Sequence, residues 1–282
     1  MKKILFFLFT KSIGVYLNIL SFVWPEKALQ QAYALFSEPR EGRLSKNKLP
    51  NILKEAQPDT FQHDNHFFQT YTWKGNETII LLVHGWESNA SRWENFLPYL
   101  KKSGSTIIAV DGPAHGLSSG KEFSIPQYAA FINIAVENFK PQYLIGHSIG
   151  GKTCLYYQSV YQSTLIQKMV ILGSPSDFNI ILNNYIVMLS LNQKIAIRLK
   201  NYYLEHHKLN IDHFTGKLFA SKINTKGLIA HDIDDTVVAF TEGKKIASAW
   251  KNATLIETKG LGHSMHDDDL YQKITHFLFE IE

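Results

Sequence analysis

A serine flanked by glycines is the feature of this sequence most able to do chemistry. Residues 146–151 read Gly-His-Ser-Ile-Gly-Gly, directly after an apolar run at residues 142–145 and before a helix that we expect to begin near Gly151. The Gly-x-Ser-x-Gly spacing is typical of a tight strand-to-helix turn, which needs nearly side-chain-free positions on both sides of the serine. Such a turn presents the hydroxyl above a sheet, so Ser148 is the candidate nucleophile.

A serine hydroxyl needs a base to take its proton and an acid to orient that base, so both should follow downstream at strand ends. The candidate base is His263, which follows two glycines just after a strand predicted at residues 253–257. Candidate acids follow a strand predicted at residues 227–230. They are Asp232, Asp234 and Asp235. Two rivals stay open, namely Asp177 at the end of an earlier strand and His266 as an alternative base.

The elements that must position these residues alternate between apolar runs and helical stretches, which is typical of a mainly parallel α/β sheet. An antiparallel hairpin is predicted at residues 61–73, on the edge of the sheet. Strands are predicted at residues 78–83, 106–110, 142–145, 168–172, 227–230 and 253–257. Helices are predicted at residues 91–102, 125–139, 152–162, 241–250 and 268–280. The sequence therefore predicts one α/β domain over residues 49–282.

An insertion interrupts this alternation between the strands at residues 168–172 and 227–230. About fifty residues intervene, where a crossover usually needs far fewer. We interpret residues 177–225 as an inserted helical cap. Its apolar residues at helical spacing are Phe178, Leu182, Tyr185 and Leu189. This stripe either packs the cap onto the domain or lines an acyl-sized pocket, and both interpretations stay open.

Composition and charge exclude several classes of function. The chain has 282 residues, is 45% hydrophobic and carries a net charge of +4. The basic excess lies in residues 1–48 and the remainder is close to neutral, so we expect no nucleic-acid partner. The single cysteine, Cys154, rules out an intramolecular disulfide. His84, His115 and His147 follow three different strands without the short spacing of zinc ligands, so we expect no metal.

Four separate motifs resemble those of the α/β-hydrolase superfamily, in particular its capped serine-hydrolase branch, over residues 69–282. Residues 82–86, Leu-Val-His-Gly-Trp, resemble the family's oxyanion-hole loop. Residues 111–118, Asp-Gly-Pro-Ala-His-Gly-Leu-Ser, resemble the loop after its next parallel strand. The turns around Ser148 and His263 complete the set. The resemblance implies an α/β-hydrolase fold, in which helices flank a mainly parallel sheet and a helical cap is inserted.

The resemblance also implies roles for individual residues. Ser148 would attack a carbonyl carbon, and His263 would take and return the proton. Asp235 would orient the imidazole, because family members with a similar stretch place the acid four residues after a strand-end histidine. By position, the backbone N–H groups of Trp86 and Ile149 would bind the oxyanion.

We therefore expect a serine hydrolase that cleaves carboxylic esters or thioesters of small molecules without a cofactor. Acyl transfer, amide hydrolysis and carbon–carbon bond hydrolysis use the same serine and remain alternatives. A non-catalytic ligand-binding receptor of the same fold is the alternative from another class. His84 and His115 are expected to brace the oxyanion loop and the turn at Asp111, and His147 to line a pocket.

The N-terminal 48 residues are predicted to be a basic, apolar extension. Within residues 1–24, Lys11 would be costly at a bilayer centre and the uninterrupted apolar run is too short to span. We expect a retained amphipathic helix that lies on a membrane, where Lys2, Lys3 and Lys11 attract an anionic leaflet, or that packs on its own domain. The expected location is cytoplasmic and peripheral at the membrane, with a cleaved signal peptide or an inserted anchor as the alternatives.

Overall fold

The structure, a computed structural model, describes residues 2–280, with side chains from residue 4 onward. An eight-stranded sheet has the order β1-β2-β4-β3-β5-β6-β7-β8. Its strands are β1 (Gln57–His63), β2 (His66–Trp73), β3 (Asn76–Val83), β4 (Ser105–Val110), β5 (Tyr143–His147), β6 (Lys168–Leu172), β7 (Lys226–Asp232) and β8 (Ala253–Thr258). Strand β2 pairs antiparallel with β1 and β4, and every other neighbouring pair is parallel. The predicted parallel sheet and edge hairpin are confirmed.

Helices alternate with the strands along most of the chain. They are α1 (Lys2–Val23), α2 (Pro25–Ser37), α3 (Asn51–Lys54), α4 (Leu97–Lys101), α5 (Ile125–Phe139), α6 (Ile149–Tyr161), α7 (Phe178–Leu189), α8 (Gln193–His207), α9 (Gly216–Ala220), α10 (Phe240–Ala247) and α11 (Asp268–Phe279). Short 3₁₀ segments occur at Lys46–Lys48, Ala90–Asn95 and Gly262–Ser264.

The central strands are apolar because helices cover both faces of a parallel sheet, which leaves no side of the strand in water. Residues 80–83 of β3 are fully buried and belong with β4 and β5 to the core. Parallel strands also direct their carboxyl ends to one edge of the sheet. The loops after β3, β5, β7 and β8 therefore converge at that edge.

The single helix predicted at residues 91–102 is wrong. The structure has a 3₁₀ segment at Ala90–Asn95 followed by the short helix α4, with a break at Phe96. Pro98 explains the break, because proline has no N–H to donate and its ring clashes with the carbonyl four residues earlier in a helix. Proline is tolerated only in the first turn, which is where α4 places it.

The chain divides into two compact units. One contains the sheet and comprises Pro39–Ser176 and Gly216–Glu282. The other is helical and comprises the N-terminal segment as far as Glu38 together with Asp177–Thr215, so it contains α1, α2, α7 and α8. We refer to them as the sheet unit and the helical unit. No local pattern in the sequence indicates that the N-terminal helices pack with the inserted ones.

The apolar stripe of the insertion lies in the interior of the helical unit. Its four members, Phe178, Leu182, Tyr185 and Leu189, are all buried. The hydroxyl of Tyr185 donates to the carbonyl oxygen of Ala32 in α2 at 2.8 Å. The ring of Phe178 lies 5.1 Å from that of Tyr203 in α8. The stripe thus packs helices α2, α7 and α8 together.

Helix α1 is continuous through Lys11, so the apolar run before that lysine underestimates its length. Among residues 2–280 it is the one helix long and apolar enough to cross a membrane, over Ile4–Val23. It also packs against α2 and α7, with its Leu17 fully buried. The length of α1 therefore does not exclude a membrane span, contrary to the expectation from the apolar run alone. Part of the helix packs against other helices of its own unit.

Candidate active site

Ser148 lies on the turn between β5 and α6 in a backbone conformation that L-residues rarely adopt. Its φ is 55° and its ψ is −126°, a strained geometry that the surrounding turn must hold. A Cβ added at Gly146 would lie 2.7 Å from the sulfur of Cys154, and one added at Gly150 would lie 2.3 Å from the carbonyl oxygen of His84. A residue with a Cβ atom would clash at Gly146 and at Gly150, so the motif requires glycine at both positions.

The structure brings Ser148, His263 and Asp235 together at the carboxyl edge of the sheet. The His263 Nε2 atom lies 2.9 Å from the Ser148 Oγ atom. The Nδ1 atom of the same ring lies 2.8 Å from the Asp235 Oδ2 atom. Both distances are within the range of hydrogen bonds. A serine, a histidine and a carboxylate are therefore linked in one continuous chain of hydrogen bonds.

Asp235 is held as a carboxylate by its surroundings. The side chain is fully buried, and burial raises its pKa. Hydrogen bonds outweigh burial: one comes from His263, and the backbone N–H groups of Val238 and Val237 donate to Oδ1 at 2.9 and 2.8 Å. The net effect is a pKa of Asp235 below its usual value. The negative charge favours a proton on Nδ1 of His263 and leaves Nε2 free to accept one from Ser148.

In the described residues, His263 is hydrogen-bonded to Asp235 and to none of the rival acids. Asp177 belongs to the helical unit, where it is the N-cap residue of α7. Asp232 accepts hydrogen bonds from the hydroxyl of Thr258 at 2.8 Å and from the N–H of Leu261 at 2.9 Å, so it holds the loop that leads to His263. The Nδ1 atom of His266 pairs with the hydroxyl of Tyr271.

The two N–H groups expected to bind an oxyanion lie on either side of the serine turn. Ile149 begins helix α6, where the first N–H groups of a helix have no intrahelical partner. A Cβ added at Gly85, the residue before Trp86, would lie 2.9 Å from the Ser148 Cβ, so the loop passes directly beside the serine. Within residues 2–280 neither the Trp86 nor the Ile149 N–H has a hydrogen-bond partner.

Two buried histidines join the loop after β3 to the loop after β4. Nε2 of His84 accepts the N–H of Gly112 at 2.8 Å, and Nε2 of His115 accepts the N–H of Glu87 at 2.9 Å. Each Nδ1–H donates to a nearby backbone carbonyl oxygen. Burial lowers the pKa of His84 well below its usual value and that of His115 to about 4, so both rings are neutral at neutral pH. The predicted bracing role is confirmed for both.

Asp111 completes the same brace. Its carboxylate accepts the N–H groups of Ala90 and Leu117, each at 2.9 Å, and the hydroxyl of Tyr71 at 3.2 Å. Burial raises the pKa of Asp111 to about 6, and these hydrogen bonds act in the opposite direction. The candidate oxyanion loop, residues 84–90, is therefore held at its start by the bond from His84 to Gly112 and at its end by the bond from Ala90 to Asp111.

His147 and Arg92 hold the backbone of the loop that carries His263. This role of the two residues was not predicted from the sequence. The Nε2–H of His147 donates to the carbonyl oxygen of His263 at 2.8 Å. The Nη2 of Arg92 donates to the next carbonyl oxygen, that of Ser264, at 2.6 Å. Burial lowers the pKa of His147 well below its usual value, so this ring is neutral and its one proton serves the His263 carbonyl. No periodicity or motif links these positions, since their sequence separations exceed one hundred residues.

No cluster that could hold a metal ion was found among residues 2–280. His84 and His115 use both ring nitrogens in the contacts above, and His147 uses Nε2. Only Nδ1 of His147 and Nδ1 of His231 are buried histidine nitrogens that have no hydrogen-bond partner in the described part of the chain.

Comparisons with known proteins match part of this sequence and its fold. A family model for the α/β hydrolase fold matches residues 78–199, which include the candidate oxyanion loop and the serine turn. The chain is similar in sequence to α/β hydrolases over this segment and has the α/β-hydrolase fold. The resemblance drawn from its motifs and the predicted fold class are both confirmed.

Solved α/β hydrolases share the fold at low sequence identity. A bromoperoxidase from Bacillus anthracis superposes with a TM-score of 0.60 and 19% identity, over 76% of this chain and 96% of that one. A thioesterase domain from the curacin biosynthetic pathway superposes with a TM-score of 0.59 and 15% identity, over 79% and 99% of the two chains. At such identities the likeness shows the fold alone.

Curated α/β-hydrolase relatives match a shorter segment. The human serine hydrolase-like protein is 28% identical over 102 residues, which are 34% of this chain and 49% of that protein. Protein phosphatase methylesterase 1 of Candida albicans is 24% identical over 116 residues, 38% of this chain and 32% of that protein. The aligned segments thus span half or less of the length of these relatives.

The neutral state of His115 predicts a pH-dependent stability. Above the usual pKa of 6.5 the hydrogen bond to Glu87 contributes fully to the free energy of unfolding. As the pH falls below 6.5, His115 becomes protonated in the unfolded chain but stays neutral in the native protein. Its contribution to the free energy of unfolding is therefore lost as the pH approaches the native pKa of about 4. The stability advantage of the wild type over His115→Gln should shrink by about 2 kcal/mol between pH 7 and pH 5.

Urea unfolding of both proteins at the two pH values measures this difference. His84 and Asp111 are present in both proteins, so their own titrations cancel. His213→Gln, which removes an exposed histidine of the helical unit, is the matched control and should change with pH as the wild type does. An advantage over His115→Gln that is equal at pH 7 and pH 5 would show that the native ring is not held neutral.

Proposed function

We propose that this α/β hydrolase is a serine hydrolase that cleaves carboxylic esters or thioesters of small molecules through an acyl-enzyme. The observation that carries the proposal is the chain of hydrogen bonds from Asp235 through His263 to Ser148, with distances of 2.8 and 2.9 Å. In this proposal Ser148 is the nucleophile, His263 the general base and acid, and Asp235 the orienting acid.

The reaction follows from which atoms hold protons. Nε2 of His263 takes the hydroxyl proton as Ser148 Oγ forms a bond to the carbonyl carbon. The charge that develops on the carbonyl oxygen is stabilised by the N–H groups of Trp86 and Ile149. The tetrahedral intermediate then expels the alcohol or thiol, which receives the proton from His263. Water, deprotonated by the same nitrogen, attacks the acyl-enzyme and releases the carboxylic acid with Ser148 restored.

Several features of the site support chemistry over passive ligand binding. The strained backbone at Ser148 is costly for stability, and such strain clusters at functional sites. The Trp86 and Ile149 N–H groups have no partner in the described residues, so they are available to an oxyanion. A receptor on this fold would need neither feature, nor a histidine bonded to the serine.

Esters and thioesters are favoured as substrates because names of that kind recur among the relatives. One relative is called a protein phosphatase methylesterase, and one structural neighbour a thioesterase domain. These names belong to those proteins and only support the substrate class proposed here. Hydrolysis rates over aryl esters of increasing acyl length, with the matching thioesters in parallel, would define the acyl group that the enzyme prefers.

Ser148→Ala should remove most ester hydrolysis while the protein stays folded, because the change removes one oxygen at a surface turn. Binding and an oxyanion hole alone can contribute roughly 10³-fold over water, so slight turnover can remain. The measurement is aryl-ester hydrolysis beside a thermal unfolding curve of each protein. Ser264→Ala, on the His263 loop, is the matched serine control and should stay active. Undiminished turnover by Ser148→Ala would contradict the proposal.

Asp235→Asn should lower kcat on the order of 10⁴-fold, by analogy with the serine protease triad from which that magnitude comes, because an amide can hold the imidazole in the wrong tautomer. Asp177→Asn makes the same chemical change in the helical unit and should have a mild effect. Steady-state kinetics of the two variants give the ranking. The opposite order would assign the orienting acid to Asp177.

His147→Phe should lower kcat with little change in KM, since it removes the N–H that holds the His263 carbonyl and keeps a ring of similar size. Loss of one such hydrogen bond is worth about 1 kcal/mol, or roughly fivefold in rate. His147→Gln, which retains an N–H donor, should recover part of the rate. His266→Phe is the matched control outside the hydrogen-bond chain. Equal kcat values in His147→Phe and the wild type would exclude this positioning role.

A further inference from the structure

Lys11, the one charged residue among residues 4–23 of α1, directs its side chain to α7 of the same unit. Nζ of Lys11 donates to the carbonyl oxygens of Val187 at 3.1 Å and Met188 at 3.0 Å, and to the hydroxyl of Ser190 at 2.7 Å. These acceptors are at the C-terminal end of α7, where helix carbonyls have no intrahelical partner and the helix dipole favours a cation. Lys11 therefore acts as a cap for α7.

The remaining polar groups on this face of α1 also contact the turn between α7 and α8. Asn18 donates to the carbonyl oxygen of Ser190 at 2.8 Å and accepts the N–H of Asn192 at 2.8 Å. A Cβ added at Gly14 would lie 1.6 Å from the carbonyl oxygen of Leu189, so the two helices are in backbone contact there. With Lys11 and Asn18 on this inner face, α1 presents an outer surface that is apolar apart from Ser12, whose hydroxyl donates to the carbonyl oxygen of Phe9 at 2.8 Å.

Residues 4–9 of α1 are apolar and exposed. We call the residues 4–9, Ile-Leu-Phe-Phe-Leu-Phe, the tip of the helix. Each of the six is exposed, with fractions between 56% at Phe7 and 70% at Leu5. Beyond Thr10 the pattern becomes one-sided. The outer face of that part carries the exposed residues Val15, Tyr16, Ile19, Phe22, Val23 and Trp24.

Cations border this apolar surface where α1 ends. Nζ of Lys194 donates to the carbonyl oxygen of Ser21 and lies 5.3 Å from the ring of Phe22. Nζ of Lys27 lies 5.8 Å from the ring of Trp24, and both lysines are exposed. Tryptophan beside lysine is typical of membrane interfaces, where the indole lies at headgroup level and the ammonium group meets lipid phosphate. The side chains of Lys2 and Lys3 lie outside the described residues.

We propose that the tip and the outer face of α1 bind a lipid bilayer, with residues 4–9 inserted among the acyl chains and Trp24, Lys27 and Lys194 at the headgroups. A helix-binding groove covers one face of a helix and would leave the other faces of the tip in water. A bilayer surrounds an inserted segment and buries all six side chains. The inner face, closed by Lys11 and Asn18, stays packed in the helical unit throughout.

Co-sedimentation of the full chain with vesicles tests this surface. The wild type should bind phosphatidylcholine vesicles, and it should bind more tightly when the vesicles also contain phosphatidylserine. High salt should remove only the gain in affinity that phosphatidylserine causes. Phe6→Glu/Phe9→Glu should weaken binding more than about tenfold, since two aromatic side chains can no longer leave water. Phe67→Glu/Val160→Glu changes two apolar residues of the sheet unit with similar exposure, 52% and 53%, and should bind as the wild type does.

Lys11→Met separates capping from lipid attraction. It removes the donor to α7, so the melting temperature should fall, while vesicle binding should persist because this ammonium group is bonded to the end of α7. Aryl-ester hydrolysis by Phe6→Glu/Phe9→Glu should equal that of the wild type, which keeps this test independent of the proposed catalysis.

Several results would overturn the membrane proposal. These are a wild type that stays in the supernatant with both vesicle types, equal binding by Phe6→Glu/Phe9→Glu, or loss of binding by Lys11→Met at a temperature where it is folded. Self-association that Phe6→Glu/Phe9→Glu abolishes, without vesicle binding, would instead assign the surface to a second copy of the chain. A native N-terminus beyond Trp24, found by mass spectrometry of protein from its host, would make the tip part of a cleaved signal.

Discussion

The imidazole of His263 makes two hydrogen bonds at once, one to the buried carboxylate of Asp235 and one to the hydroxyl of Ser148. The three residues follow three different strands, so their mutual distances depend on three loops that the sheet alone does not fix. Separate anchors hold these loops. Val237 and Val238 donate to Asp235, Asp232 holds the approach to His263, and His147 holds the His263 carbonyl from the turn that carries Ser148. The serine turn and the histidine loop are therefore linked twice.

This arrangement places many polar groups in the interior, where an unpaired group would cost a few kcal/mol. Two of the four buried histidines in the described part of the chain, His84 and His115, avoid that cost by staying neutral and using one nitrogen as donor and the other as acceptor. The exceptions are the Nδ1 atoms of His147 and His231, which have no partner in the described part of the chain. The positive φ of Ser148 adds strain, and the glycines around it allow the close contacts that hold the turn. The backbone conformation of Ser148 thus lowers stability locally.

The sequence predicted those parts of the fold that depend on local pattern. The apolar runs predicted the parallel strands. The glycines around Ser148 predicted its turn without reference to His263 or Asp235. The helix predicted at residues 91–102 is wrong because Pro98 has no N–H to donate, which ends the first segment. Contacts between distant positions left no such pattern. The bond from His147 to the His263 carbonyl spans 116 residues, and that from Lys11 to the end of α7 spans 176.

Covalent trapping shows whether Ser148 is a nucleophile activated by its neighbours. The wild type and His263→Ala would be treated with a fluorophosphonate probe, and the modified peptide identified by mass spectrometry. We expect one adduct, on Ser148, that forms rapidly in the wild type and far more slowly without His263, because the hydroxyl then has no base. An adduct on another serine, or equal rates in the two proteins, would show that Ser148 is not a nucleophile activated by His263.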